Sequence, residues 1–426
     1  MSAAATEVVS AEAQVEAAGR AARKAAGELA TLPTSIKNEA LLAMSEALID
    51  DSEEILEANQ RDLAAAEGNG LSEALIDRLT LTHERLGGIA EGVRQIAGLP
   101  DPVGEVICGS KRPNGLVIQQ IRVPLGVVGI IYESRPNVTV DTASLCLKAG
   151  NAVILRGGSE AFHSNLALTE TLVAAGAEVG IPEGAIDLIR TTDRAAAQAL
   201  MRLNECVDVL IPRGGPGLIQ TVCRTATVPT IETGVGNCHT YIHGSANLQE
   251  AADIAFNAKV QRPGVCNSTE TLLVDREIAA ELFALLGPRL EAAGVELRAD
   301  PAACALLPGA TPATESDWGE EFLSLTLAVR LVEGLEEAIA HINTYGSRHT
   351  EAILTRDYYA QKRFVDAVDA AAVIVNASTR FTDGYEFGMG AEVGISTQKL
   401  HARGPMGLSA LTTGKWVVYG EGQVRD

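Results

Sequence analysis

Between Val127 and Asn376, short unbroken runs of Val, Ile and Leu alternate with segments whose apolar residues recur every three or four positions. A strand that is apolar on both sides of its pleat cannot show either side to water. Such strands belong in parallel sheets covered by helices on both faces. In a first series, residues 127–131, 152–155, 186–189 and 207–211 read as strands, with helices over 140–149, 163–177 and 195–203. A second series opens near Thr240, with strands at 269–274, 325–332, 351–355 and 372–376 and helices over 248–260, 277–293 and 336–343. Two α/β units of similar size follow. A length of 426 residues, too long for one ordinary core, agrees.

The flanks have a different texture. Residues 11–29, 35–57 and 72–96 carry helical periodicity, broken at Pro33 and at Gly68-Asn69-Gly70. After Pro100, two extended runs within 104–123 surround Lys111-Arg112-Pro113-Asn114-Gly115, where Asn-Gly marks a tight hairpin turn. The tail, 406–424, holds Lys415-Trp416-Val417-Val418-Tyr419, which reads as one last strand. Hairpin and tail are expected to pair into an appendage suited to oligomer formation. One unit is then built from 1–103 and 124–238, a second from 239–403, and the appendage from 104–123 with 404–426.

Composition excludes several roles. With 34 basic against 55 acidic residues the formal net charge is -21, which disfavours binding to nucleic acid or to anionic membranes. The segment 2–19 is rich in Ala and Glu and lacks the cationic start and apolar core of a signal peptide. No run reaches the roughly 18 apolar residues of a membrane span. Seven scattered cysteines, with no CxxC pair, support neither a disulfide framework nor a structural metal. His239 and His243 alternate along one probable strand without a third ligand, so no metal is expected. A reducing cytoplasm is the expected compartment.

The chemistry-bearing segments lie at the joints. Gln261-Arg262-Pro263-Gly264-Val265-Cys266-Asn267-Ser268 runs from a helix end through a turn into a strand. Cys266 there is either an exposed nucleophile, its thiolate favoured by Arg262, or a small core residue. Strand 207–211 leads into Pro212-Arg213-Gly214-Gly215-Pro216-Gly217 and a helix, and glycines at such a joint let backbone N–H groups approach a phosphate. Strand 152–155 leads into Arg156-Gly157-Gly158-Ser159, where an arginine with no acidic residue beside it suits the ribose phosphate of NADP better than the free hydroxyls of NAD. Both stretches also read as plain glycine turns. Tyr345-Gly346-Ser347-Arg348-His349-Thr350 and Asn376-Ala377-Ser378-Thr379-Arg380-Phe381 each set an arginine beside hydroxyl donors. That arrangement serves a carboxylate or phosphate, and equally an ordinary polar loop.

Taken together, these segments resemble the aldehyde dehydrogenase superfamily, and within it the branch that reduces an acyl phosphate. The likeness rests on Ala338, His341-Ile342, Tyr345-Gly346-Ser347, His349-Thr350-Glu351 and Ile353, with Arg262 to Asn267 as nucleophile motif and Leu155 to Glu160 as cofactor loop. Val375 to Phe381 and Arg403-Gly404-Pro405-Met406-Gly407-Leu408 also match. The resemblance covers nearly the whole chain. It implies an aldehyde dehydrogenase-like fold of two parallel-sheet α/β domains with a β-hairpin oligomerisation appendage, the first unit binding NADP and the second carrying the cysteine. Glu321, ahead of Phe322, resembles the glutamate that holds the nicotinamide ribose. Glu232 occupies the position of the hydrolytic base of oxidising members, a role that a reductase of an acyl phosphate does not need. The oxyanion asparagine of the superfamily has no counterpart around Glu133-Ser134-Arg135-Pro136-Asn137.

The implied activity is NADPH-dependent reduction of L-glutamate 5-phosphate to L-glutamate 5-semialdehyde through a Cys266 thioester, in proline biosynthesis, in a homo-oligomer with a functional link to a glutamate kinase. The expected cofactor contacts are Arg156, Gly157, Gly158, Ser159, Arg213, Gly214, Gly215 and Glu321. Chemistry suggests Arg135, Asn137, His349, Ser378, Thr379 and Arg380 for the substrate's carboxylate and phosphate. The alternatives are an oxidising dehydrogenase, in which Glu232 would matter, and a catalytically silent assembly subunit.

Overall fold

Ser10 starts the first helix by accepting the Ala13 N–H on its hydroxyl. The computed structural model describes residues 10–425, so the beginning of the N-terminal segment lies outside the described residues. The chain divides into two units: Met1–Glu232 with Gly388–Gly394 and Met406–Asp426, and Thr233–Phe387 with Ile395–Pro405.

The first unit opens with α1 (Ala11–Leu29), α2 (Thr34–Asp50), α3 (Ser52–Gly68), α4 (Glu73–Leu79) and α5 (His83–Gly98). Periodicity predicts single helices over 35–57 and 72–96, and both are split. The first breaks at Asp51, whose carboxylate takes the Thr171 hydroxyl at 2.9 Å. In the second, the buried Asn59 side chain donates to Leu79 O and accepts from Leu81 N, both at 2.9 Å, which draws the chain out of helix; Thr82 then caps α5.

Next come β1 (Val106–Lys111) and β2 (Val117–Pro124), an antiparallel hairpin whose turn places Gly115 at φ 93°, a region that favours glycine. The sheet of this unit follows, from β3 (Val127–Tyr132), α6 (Pro136–Lys148), β4 (Ala152–Arg156), α7 (Phe162–Glu178), β5 (Ile186–Leu188), α8 (Arg194–Met201), β6 (Val209–Arg213) and α9 (Pro216–Thr225). Helix α6 starts earlier than its apolar pattern predicts because Pro136 fits the first turn, where a missing N–H costs nothing. All four strands are parallel, in the order β5-β4-β3-β6. The chain leaves β3 on one side and returns as β6 on the other, so the carboxyl ends of these two strands form a switch point of the kind where open sheets bind ligands.

The second unit runs β7 (Cys238–Ile242), α10 (Leu248–Val260), β8 (Thr269–Asp275), α11 (Ala279–Ala292), β9 (Glu296–Ala299), α12 (Pro301–Cys304), β10 (Thr311–Pro312), β11 (Thr326–Val332), α13 (Leu335–Tyr345), β12 (Thr350–Leu354), α14 (Tyr358–Ala367) and β13 (Ala372–Val375). Its seven strands are parallel, in the order β10-β9-β11-β8-β7-β12-β13. The pieces β9, β10 and α14 are too short or too polar to show as periodic patterns. A small pair, β14 (Ile395–Ser396) and β15 (Gly404–Pro405), belongs to the same unit.

The last strand, β16 (Thr412–Tyr419), returns to the first unit and pairs antiparallel with the whole of β2. Hairpin and tail therefore form one three-stranded sheet, β1-β2-β16, whose edge strands expose Val106, Trp416, Val418 and Tyr419. The architecture is α/β, two parallel sheets with a hairpin appendage, as the alternation of runs implied. Among the described residues no helix is long and apolar enough to cross a membrane.

Candidate active site

Helix α10 ends at Val260 and β8 begins at Thr269, and Cys266 lies on the segment that joins them. Pro263-Gly264 turns the chain. The Ser268 N–H then returns to Val265 O at 3.0 Å, which closes a β-turn with Cys266 at its second position. Asn267 Nδ2 ties this turn to Thr382 O at 2.8 Å and to Arg380 O at 3.3 Å, and the Ser268 hydroxyl donates to Ala258 O at 3.3 Å. Asn267 and Ser268 are buried while Cys266 is half-buried, so the turn is anchored on its inner side.

Below the turn, Lys259 near the end of α10 meets Glu270 near the start of β8, Nζ to Oε2 at 2.5 Å, with both side chains sealed from solvent. The Leu323 N–H adds a bond to the other Glu270 oxygen at 3.2 Å. Burial pushes Glu270 up to about 7 and pushes Lys259 down, because taking either charge from water disfavours it. The pair clasps the two ends of the loop together.

On another side the backbone of Gly236 lies against the turn. A Cβ there would come within 1.8 Å of the Cys266 carbonyl oxygen, so no other residue type fits. The Gly236 N–H donates to Glu321 Oε1 at 2.8 Å, which places Glu321 beside the same segment. Two guanidinium groups complete the surroundings. Arg380 Nε donates to Gln261 Oε1 at 2.8 Å, and burial, then the charge of Arg262, push Arg380 down. The charges of Cys266 and Asp383 act on Arg380 in the opposite direction.

Three residues expected at the substrate are buried in the second unit. His349 is completely buried, with Nδ1 at 2.9 Å from Thr350 Oγ1. Thr379 is equally buried, its hydroxyl 3.1 Å from that of Thr269. Ser378 accepts the Arg380 N–H as a cap at 3.3 Å and is buried too. The His349 Nδ1 and the hydroxyls of Thr379 and Ser378 are engaged inside the unit, and Arg380 is the member of that group with partial exposure.

In the first unit the candidate cofactor loops follow β4 and β6. Arg156 is 9% exposed; its Nη1 donates to Gly157 O at 2.5 Å and its Nη2 to Thr192 O at 3.0 Å. Burial pushes Arg156 down, as does the charge of Arg194, an exposed residue at the start of α8 that sequence reading did not single out. The buried Nε of Arg156 has no hydrogen-bond partner among the described residues. Gly157 and Gly158 are half-buried and Ser159 is exposed. The carboxylate next in line, Glu160, is turned onto Ser134 and accepts both its N–H at 3.0 Å and its hydroxyl at 2.5 Å. A buried arginine that staples the loop, a second, exposed arginine and an inward-turned acid fit a phosphorylated ribose.

At the carboxyl ends of β3 and β6, Glu133 Oε2 accepts the Gly215 N–H at 2.8 Å. A phosphate reaching that N–H therefore has to displace a carboxylate, while Gly214 is exposed. Arg213 lies 3.9 Å from Glu392. Asn137 donates to Asp141 at 3.0 Å, and burial pushes Asp141 up to about 6 against that bond and the charge of Arg213. Arg135 is half-buried and immediately precedes α6. Glu232 also falls in this unit. Burial first, then the Glu232 charge and its hydrogen bond, push the Cys223 thiol up to about 11.

A thiol on an anchored turn in one α/β unit, with glycine joints at the strand ends of another, defines a class. The aldehyde dehydrogenase family profile matches residues 3–305, and the chain belongs to that family. Within it the relatives are gamma-glutamyl phosphate reductases. The protein of that name from Carboxydothermus hydrogenoformans is 62% identical over 404 residues, 95% of this chain and 97% of that protein. The one from Moorella thermoacetica is 58% identical over 413 residues, 97% of this chain and 99% of that protein. The crystal structure of gamma-glutamyl phosphate reductase from Thermotoga maritima superposes with a TM-score of 0.94 at 47% identity, covering 97% of this chain and all of that one. The chain is therefore an enzyme of an oxidoreductase family whose members use nicotinamide cofactors.

Proposed function

We propose that this enzyme reduces L-glutamate 5-phosphate to L-glutamate 5-semialdehyde and phosphate in proline biosynthesis, with Cys266 as nucleophile. The observation that carries the proposal is the Cys266 turn, a half-buried thiol whose inner neighbours Asn267 and Ser268 are buried and hydrogen-bonded, with Arg262 and Arg380 beside it. The thiolate sulfur bonds to the side-chain acyl carbon, the carbon–oxygen bond to phosphate breaks, and phosphate leaves with the electron pair. NADPH, when bound, would supply the hydride that adds to the resulting thioester carbon, leaving a tetrahedral thiohemiacetal on the sulfur. The carbon–sulfur bond then breaks and the thiolate is regenerated. Covalent capture divides one hard displacement into two easier steps. The Cys266 N–H is suited to the developing oxyanion, a kind of contact worth roughly 3 kcal/mol elsewhere.

Arg156, Gly157, Gly158 and Ser159, joined by Arg194, would hold the phosphorylated ribose of NADP(H). Arg213, Gly214 and Gly215 would meet its other phosphates, and Glu321 the nicotinamide ribose. Arg380 takes the substrate's phosphate or carboxylate, with Arg135 and Asn137 as further contacts. The apolar edge strands of the appendage support a homo-oligomer, which sedimentation of the purified chain tests directly. A cytoplasmic location and a functional link to a glutamate kinase, whose product is this unstable acyl phosphate, complete the proposal; fractionation and a coupled assay respectively test them.

The deciding experiment is Cys266→Ser with enzymatically generated glutamyl phosphate. NADPH consumption is expected to fall at least a thousandfold, on the order of the loss for other covalent nucleophiles. Near-native turnover would remove Cys266 from the mechanism.

A further inference from the structure

Beneath the Cys266 turn lies a second cysteine that the mechanism above does not use. Cys238 is the first residue of β7, completely buried, and its sulfur is 3.1 Å from the carbonyl oxygen of Cys266. On its other side the sulfur is 3.7 Å from His349 Nδ1. The two cysteines are 28 residues apart, brought together because β7 and β8 are parallel neighbours starting at paired residues, Cys238 opposite Thr269. Burial pushes the Cys238 thiol well above its ordinary value, and the charges of Glu351, Cys266, Glu270 and Glu321 push the same way. It therefore keeps its proton and has one to donate.

We infer that Cys238 is a positioning residue, whose S–H holds the Cys266 carbonyl and so fixes the direction in which the nucleophile's side chain leaves the turn. This rests on the reading of Cys266 as nucleophile. The carbonyl is confined from both sides, by the Cys238 sulfur and by Gly236, where even a methyl would overlap it. Val265 O accepts the Ser268 N–H, so both carbonyls that define the turn are restrained. Without the Cys238 donor, the Cys266–Asn267 peptide keeps its packing but loses the bond that selects its rotation. A reacting group misplaced by that rotation slows the chemical step while substrate binding is little changed.

Cys238→Ala and the better-filling Cys238→Val lack the donor; Cys238→Ser keeps one. The readouts are kcat and KM on glutamyl phosphate and the rate at which iodoacetamide labels the peptide holding Cys266, followed by mass spectrometry. In whichever of Cys238→Ala or Cys238→Val folds, kcat and labelling rate are expected to fall together by about five- to tenfold, with KM within twofold. Cys238→Ser is expected to return both to within twofold of the parent. A lowered melting temperature with unchanged kcat and labelling rate overturns the inference, leaving Cys238 a packing residue. Failure of the serine variant to rescue also overturns it, because the hydrogen bond is then not the cause. An active Cys266→Ser enzyme removes the reading of the nucleophile instead, so the two failures are distinguishable.

Discussion

In the four-stranded sheet the bodies of β3 and β4 are apolar, Val-Val-Gly-Ile-Ile-Tyr and Ala-Val-Ile-Leu before Arg156, and the short β5 carries one acid, Asp187. The seven-stranded sheet buries β7, β8 and β12 as fully, yet builds them around Cys238, His239, Tyr241, Glu270 and Glu351. Glu351 accepts both the N–H of His239 at 2.8 Å and its ring Nδ1 at 2.9 Å, and the Tyr241 hydroxyl donates to Asp275 at 2.7 Å. The candidate chemistry divides the same way. Glycine joints follow the carboxyl ends of β4 and β6, the usual place in an open sheet, whereas the Cys266 turn precedes the amino end of β8. A phosphate cradle needs only backbone N–H groups above an apolar scaffold. A covalent nucleophile needs a fixed direction, and polar anchors inside the second sheet supply it.

Breaking one of those anchors should have the largest effect. Lys259→Met leaves Glu270 in the core without its cation, and a loss of about 4 kcal/mol in urea-unfolding free energy is expected. Replacing both members, Lys259→Met with Glu270→Leu, should recover most of it, because desolvation of the pair offsets much of its attraction. A single-variant loss below about 1 kcal/mol would show that the buried pair is not an anchor.

A smaller effect separates the units by pH. Burial, then the charges of His239 and Arg330, push His341 down to about 3 from the usual 6.5. As pH falls from 6.5 toward 3, the unfolded chain takes up a proton at this ring and the folded chain does not. Stability from this site is therefore complete above 6.5 and lost on acidification, by roughly 3 kcal/mol at pH 4. His341→Phe keeps a ring among Trp318, His239 and Tyr345 and should flatten that acid limb in urea titrations at pH 7 and pH 4. An unchanged slope would mean that the ring titrates normally.

The contrast between the sheets also explains what the sequence disclosed. Alternating apolar runs expose a doubly covered strand directly, so β3, β4, β8 and β11 were legible to within a residue or two, as was α10. Local motifs were legible as well, because Pro263-Gly264 before Cys266 and the glycines after β4 and β6 act through their own backbone. What stayed hidden depends on partners distant in the chain. Nothing near residue 80 announces that Asn59 will break a helix there. His349 and Thr379 look like loop residues until neighbouring strands cover them. Cys238 reads as one of seven scattered cysteines, and only the pairing of β7 with β8 brings it to Cys266. Arg194 was hidden for the same reason, since its link to Arg156 comes from two strand ends meeting.

That last pair gives the smallest expected effect and sharpens the account of the apolar sheet. If the first unit only presents a cradle, cofactor preference should come from exposed charge near it rather than from the buried staple. Arg156 is held by two backbone carbonyls, Gly157 O and Thr192 O, so Arg156→Ala should loosen the loop and weaken NADPH and NADH together. Arg194 is exposed, and an exposed ion pair is worth up to about 1 kcal/mol, so Arg194→Ala should raise KM for NADPH about fivefold and leave NADH within twofold. Steady-state kinetics with both cofactors on both variants decides it. An NADPH-selective loss in Arg156→Ala, with none in Arg194→Ala, would give the reading of the extra phosphate to the Nε of Arg156 at the end of β4.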